Sequence, residues 1–116
     1  MTKRKHIKDK DRFSIIQDEL DYCMICRRYL GEGGHLHEVF WGSANRQKSK
    51  DYGLVVKLCF NHHDRQSIIS VHHNPQGKMN KWLQQQAREA FENHYPNEDF
   101  IEVFGRNYGT CDGDTE

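Results

Sequence analysis

The sequence predicts an α+β domain: two short metal-binding turns, a β-hairpin strung between them, and two helices behind. Three features carry this reading. Cys23 and Cys26 stand two residues apart, and Cys59 and His62 repeat that spacing, with residues 27 to 58 between the pairs. Within that interval, residues 35 to 41 and 54 to 59 are rich in aromatic and β-branched side chains, the composition of strands. Beyond it Met79, Trp82, Leu83, Ala87, Ala90 and Phe91 recur at steps of three and four, the mark of an amphipathic helix.

A chain of 116 residues is one domain's worth, and a domain that small buries only about two thirds of the surface its unfolded form exposes. The hydrophobic fraction of 35% is low, while aromatics reach 11% and gather in the middle and the last third. Such a mixture implies a compact unit with polar tails, helped by a metal rather than by a large core. Lysine plus arginine and aspartate plus glutamate both number 17, so net charge announces no polyanionic partner. Lys3, Arg4, Lys5, Lys8, Lys10 and Arg12 nevertheless outweigh Asp9 and Asp11, and Asp112, Asp114 and Glu116 crowd the other end. Residues 1–12 are therefore expected to be a flexible basic arm, 13–108 the domain, and 109–116 a flexible acidic tail.

No run of apolar residues reaches the length of an export signal or a membrane span, so a cytoplasmic protein is expected. In that setting a C-x2-C turn accompanied by C-x2-H favours zinc over disulfides. Cys111 is left as a free thiol without an assigned role.

Taken in order, Phe13, Ile15, Ile16 and Leu20 suggest a short helix or turn leading to the first cysteine pair. Gly31, Gly33 and Gly34 mark a turn, after which His35 to Trp41 read as a strand with His35 and His37 on one face. Residues 42 to 53 are polar and read as a loop, and Leu54 to Cys59 as the second strand. A short helix from Phe60 to about Ser67 would carry His62 and His63. Pro96 would stop the amphipathic helix, Asn97 would cap a last helix bearing Phe100, Ile101, Val103 and Phe104, and Gly105 would end it.

Cys23, Cys26, Cys59 and His62 make a four-ligand structural zinc set that contributes folding energy outright. His63 directly follows His62, and a helix turns about 100° per residue, so the two imidazoles face different places. Of the seven histidines that remain, His35, His37, His63, His72 and His73 crowd into about forty residues, more than a structural ion requires.

Cys23-x2-Cys26, His-Leu-His-Glu-Val-Phe at 35 to 40, Asn45-Arg46, Gly53 to Cys59 with His62-His63, and Val71-His72 together resemble the HNH, or His-Me finger, endonuclease superfamily. The resemblance is to small phage and prophage members and spans roughly residues 22 to 108. It implies a zinc-knuckle-braced ββα-metal core and metal-dependent hydrolysis of DNA phosphodiester bonds in a bacterial host cell. His37 matches the general base, and Asn45 and Asp51 are candidates for the role of the family's loop-steadying asparagine. His63 and His72 match ligands of one catalytic divalent cation (Mg2+, Mn2+, Ni2+ or Zn2+), with His35 a further candidate. Arg46, Lys48 and Arg65 are the expected DNA contacts. Leu36 stands where the family places a metal ligand beside the base, and Gly53 where it places its asparagine. These departures motivate a second reading, a zinc-stabilised DNA-binding or recombination-accessory protein without turnover.

Overall fold

The computed structural model describes residues 6–64 and 69–108. Two strands, β1 (His35–Glu38) and β2 (Val55–Leu58), pair antiparallel, with His35 opposite Leu58 and Glu38 opposite Val55. Such a hairpin is marginal alone; all four β2 residues are buried because the rest of the chain packs around it. β1 is shorter than the expected 35 to 41, although the Val39 N–H still donates to the Leu54 carbonyl at 3.0 Å.

Residues 42 to 53, expected as a loop, contain a helix, α1 (Asn45–Tyr52). Arg, Gln and Lys are good helix formers, but the segment has no apolar stripe for periodicity to reveal. Its buried face is instead polar: Ser49, Lys50 and Asp51 lie inside with Tyr52. Each of the three polar side chains has a partner. Ser49 bonds both backbone groups of Phe40, Lys50 reaches Asp9, and Asp51 accepts from the Ile7 N–H, His6 and Gln47. Gly53 ends α1 at φ 76°, and its N–H closes on Lys50. A Cβ there would lie 2.4 Å from the Phe13 ring, so the position needs glycine both for its dihedral and for its close approach.

The single turn α2 (Phe60–His63) begins at Cys59 and stops sooner than expected, because Asp64 is already extended at φ -70°, ψ 135°. The last residues of the expected helix, 65 to 67, lie outside the described residues. α3 (Lys78–His94) is the predicted amphipathic helix, burying Leu83, Ala87 and Phe91. Trp82, assigned to its apolar stripe, is 38% exposed, and Asn80 turns inward in the same helical turn. α4 (Phe100–Phe104) is capped by Asp99 rather than Asn97: an Asp99 carboxylate oxygen accepts from the Ile101 N–H at 3.2 Å. Gly105 ends it at φ 78°.

Phe40, Tyr52, Phe91, Phe100 and Phe104 form the aromatic centre of the core, with neighbouring rings 4.9 to 5.4 Å apart. Burying one such ring stabilises by about 1.5–3 kcal/mol, so this cluster fixes α3 and α4 against the connection between the strands. Residues 13 to 20 form turns rather than a helix, with the Ser14 hydroxyl accepting from the Ile16 and Gln17 N–H groups. Residues 6 to 12 of the basic arm run beside α1, which they meet through Asp51, Lys50 and Arg46. Among the described residues no helix is long and apolar enough to cross a membrane.

Two candidate metal centres

The first cysteine turn is closed by the Arg27 N–H on the Cys23 carbonyl at 2.8 Å, with Arg27 in the left-handed region at φ 65°. The Met24 N–H donates to the Lys57 carbonyl at 2.8 Å and hangs this turn on β2. Across from it, Cys59 opens α2, and its carbonyl accepts from the His62 and His63 N–H groups. Ligand atoms of Cys23, Cys26, Cys59 and His62 thereby all lie within 4.8 Å of one another. Cys26 and Cys59 sulfurs are 3.9 Å apart, and His62 Nδ1 is 3.2 Å from Cys59 Sγ and 3.8 Å from Cys23 Sγ. With zinc bonds of about 2.3 Å to sulfur and about 2.0 Å to nitrogen, tetrahedral edges fall near 3.8 Å and 3.5 Å. The set is consistent with a structural zinc site.

The thiols are unequal before any ion binds. Burial works against the Cys23 thiolate, but the backbone N–H groups of Cys26, Cys59 and Ile25 and the Cys26 thiol bring its pKa down to about 6. Burial pushes Cys59 up, and the Cys23 charge adds to this.

His63 leaves the same turn in another direction and meets His37 from β1 and His72 from the segment after α2. Its ring centroid lies 5.1 Å from that of His37 and 4.6 Å from that of His72, and His37 and His72 are 5.1 Å apart. His63 Nε2 and His72 Nε2 are separated by 3.2 Å, close to the edge of about 3.3 Å expected for two imidazoles on one zinc-like ion. Val71 keeps His72 in place: its side chain is fully buried and its N–H donates to the His62 carbonyl at 2.9 Å. His37 is 1% exposed, and its Nε2 has no hydrogen-bond partner among the described residues. An imidazole nitrogen buried without a partner is costly, and coordination or proton uptake from a substrate would satisfy it.

Burial and the neighbouring imidazoles favour the neutral ring at His37 and His63. Burial first, then the neighbouring His63 and His72, holds the His37 pKa well below the usual imidazole range. Burial, His72 and His35 lower that of His63 to about 4, against a small opposing effect of Asp64. Neutral imidazoles are the form that ligates metals or accepts protons.

These histidines line a cleft of about 530 Å³ together with Trp41, Arg12, Glu38 and Arg46. Trp41 packs against His37 and His72 at 5.2 and 4.6 Å. His35 stacks on His63 at 4.7 Å but is exposed and stands outside the three-nitrogen cluster. Of the expected DNA contacts, Arg46 is in the cleft, whereas Lys48 donates to the Val103 carbonyl at 2.7 Å and ties α1 to α4. Arg65 lies outside the described residues. Asn45 is not brought to the histidines: its amide is 3.5 Å from the Tyr108 hydroxyl. Ser49 fastens the end of the β1 segment to α1, donating to the Phe40 carbonyl at 2.7 Å and accepting from its N–H at 3.1 Å. Sequence reasoning missed Ser49, Trp41 and Glu38 as site residues; for Trp41 the signal was an aromatic three residues beyond the charged end of the strand.

The fold and its two clusters define a small α+β domain with a Cys3His set fit for zinc and a second, all-histidine set one residue further along the chain. Comparison with protein-family models, with curated proteins and with solved structures finds no match for this chain.

Proposed function

We propose that the protein is a metal-dependent, HNH-type endonuclease that hydrolyses DNA phosphodiester bonds in the cytoplasm of a bacterial host, encoded by a phage or prophage as the resemblance implies. The observation that supports it most is the convergence of three imidazoles, two of them held neutral by their surroundings, on a cleft that also holds arginine. His63 and His72 are the pair suited to a divalent cation. Such an ion, when bound, supplies Lewis-acid charge at a phosphoryl oxygen. His37, kept unprotonated by its surroundings, takes a proton from the attacking water. Trp41 walls the histidines on one side, and Arg46 offers positive charge to the phosphate.

A specific observation favours the second reading, a DNA-binding or recombination-accessory protein without turnover. His37 offers a ring nitrogen within 4.8 Å of those of His63 and His72, in reach of becoming a third ligand, and a ligating His37 is no longer a base. Cleavage of plasmid, single-stranded and branched DNA with Mg2+, Mn2+, Ni2+ or Zn2+ separates the two. Loss of cutting in both His37→Ala and His63→Ala supports the nuclease. DNA binding without metal-dependent cutting in the wild type supports the accessory role, and equal cutting by all three proteins removes this site from consideration.

A further inference from the structure

At the mouth of the histidine cleft, Glu38 is nearly buried and receives two guanidiniums from opposite sides. Arg12 Nη1 donates to one carboxylate oxygen at 2.8 Å, and Arg46 Nε lies 3.5 Å from the other. Arg12 is further fixed by its Nε on the Asp9 carbonyl at 2.9 Å. Arg46 Nη2 reaches the Asp9 carboxylate at 3.3 Å, and Lys50 Nζ binds that same carboxylate at 2.6 Å. Three cations thus face two anions, leaving one positive charge in excess beside the histidines. Arg12 Nη2 and Arg46 Nη1 have no protein acceptor among the described residues.

We propose that Arg12 and Arg46, gathered on Glu38, form a two-guanidinium seat for a backbone phosphate of nucleic acid, and that Asp9 is an internal carboxylate partly occupying it. The inference rests on the phosphodiester reading of the neighbouring histidines and adds to it Arg12 as a second phosphate ligand and Asp9 as a competitor. Guanidinium geometry suits this. Each arginine spends one edge on a carboxylate that orients it and keeps further N–H donors for an oxyanion. The Asp9 side chain is more than half exposed, and its contacts to Arg46, 3.3 and 3.4 Å, are longer than its contact to Lys50. A phosphate can therefore take over Arg46 while Asp9 stays on Lys50.

The test is the salt dependence of binding to a short labelled DNA duplex, without added divalent ion, for wild type, Arg12→Gln, Arg46→Gln, the double variant and Asp9→Asn. Each arginine removed should flatten the slope of log affinity against log salt by about 0.9, so that binding at roughly 0.1 M salt weakens about eightfold per contact. Asp9→Asn should bind more tightly than wild type. Unchanged slopes in both arginine variants, or weaker binding by Asp9→Asn, overturns the proposal. Should Arg12→Gln fail to fold, Arg46→Gln, whose side chain is about half exposed, decides the matter. Histidine-dependent cutting with unchanged slopes would remove the seat and leave the nuclease reading standing. Flattened slopes with no cutting under any metal would do the reverse.

Discussion

Replacing Cys59 by serine probes the first centre most directly, because its sulfur is 3.9 Å from Cys26 Sγ and 3.2 Å from His62 Nδ1. The opposing contributions come from what else holds the cysteine turn. Ordering the eight residues 22 to 29 costs about 8–16 kcal/mol at roughly 1–2 kcal/mol each. The Met24 N–H bond to the Lys57 carbonyl that attaches this segment to β2 returns only about 1 kcal/mol. A structural zinc contributes about 10–16 kcal/mol, which closes the difference and comes close to the total stability expected of such a domain. Loss of one ligand need remove only about 3 kcal/mol to lower the melting temperature by about 12 °C or more. Zinc content by atomic emission and melting by circular dichroism test this for Cys23→Ser, Cys59→Ser and Cys111→Ser. The first two should lose zinc and melt early, and Cys111→Ser, outside the ligand set, should match wild type. Equal melting of all three, or wild-type zinc in Cys59→Ser, refutes the assignment.

Other outcomes follow from particular contacts. Gly53→Ala should cost about 1–2 kcal/mol for the left-handed backbone and displace the Phe13 ring, seen as a lower urea midpoint; a wild-type midpoint would contradict the αL cap. Ser49→Ala strands both backbone groups of Phe40 and should cost about 2–4 kcal/mol, with Ser49→Thr in the same assay showing whether a hydroxyl restores it. In protein without an ion at the second centre, unfolded imidazoles titrate near 6.5 while His63 resists protonation until about 4. The unfolded state then binds the extra protons, so stability is complete above pH 6.5 and is lost as pH falls toward 4. Comparing urea midpoints at pH 7.5 and 5 for wild type and His63→Gln isolates this contribution from that of the Cys23 thiol, whose lowered pKa acts in the same direction; identical pH dependence in the two proteins would disprove it.

The ligand spacings were legible because a metal needs donors at fixed intervals: Cys23 to Cys26 and Cys59 to His62 meet as written, and the division between His62 and His63 follows from helical rotation alone. The hairpin and α3 were legible from their side-chain periodicities. α1 was not, since it buries Ser49, Lys50 and Asp51 against partners outside the helix, Phe40 nine residues back and Asp9 and Ile7 more than forty, and hydrophobic patterning is blind to a polar inner face. Capping was misplaced by two residues, from Asn97 to Asp99, where neighbouring side chains of similar chemistry competed. The gathering of Arg12, Glu38 and Arg46 depends on the N-terminal segment folding back on α1, for which no local signal exists.

The four-residue turn α2 gives the two centres a common mechanical base. Cys59 and His62 grip one cluster from it while His63 serves the other, so neither side can be re-aimed independently. Oxidation of the thiols would shift His63 without touching it, so a single chemical event at the brace would be felt in the histidine cleft.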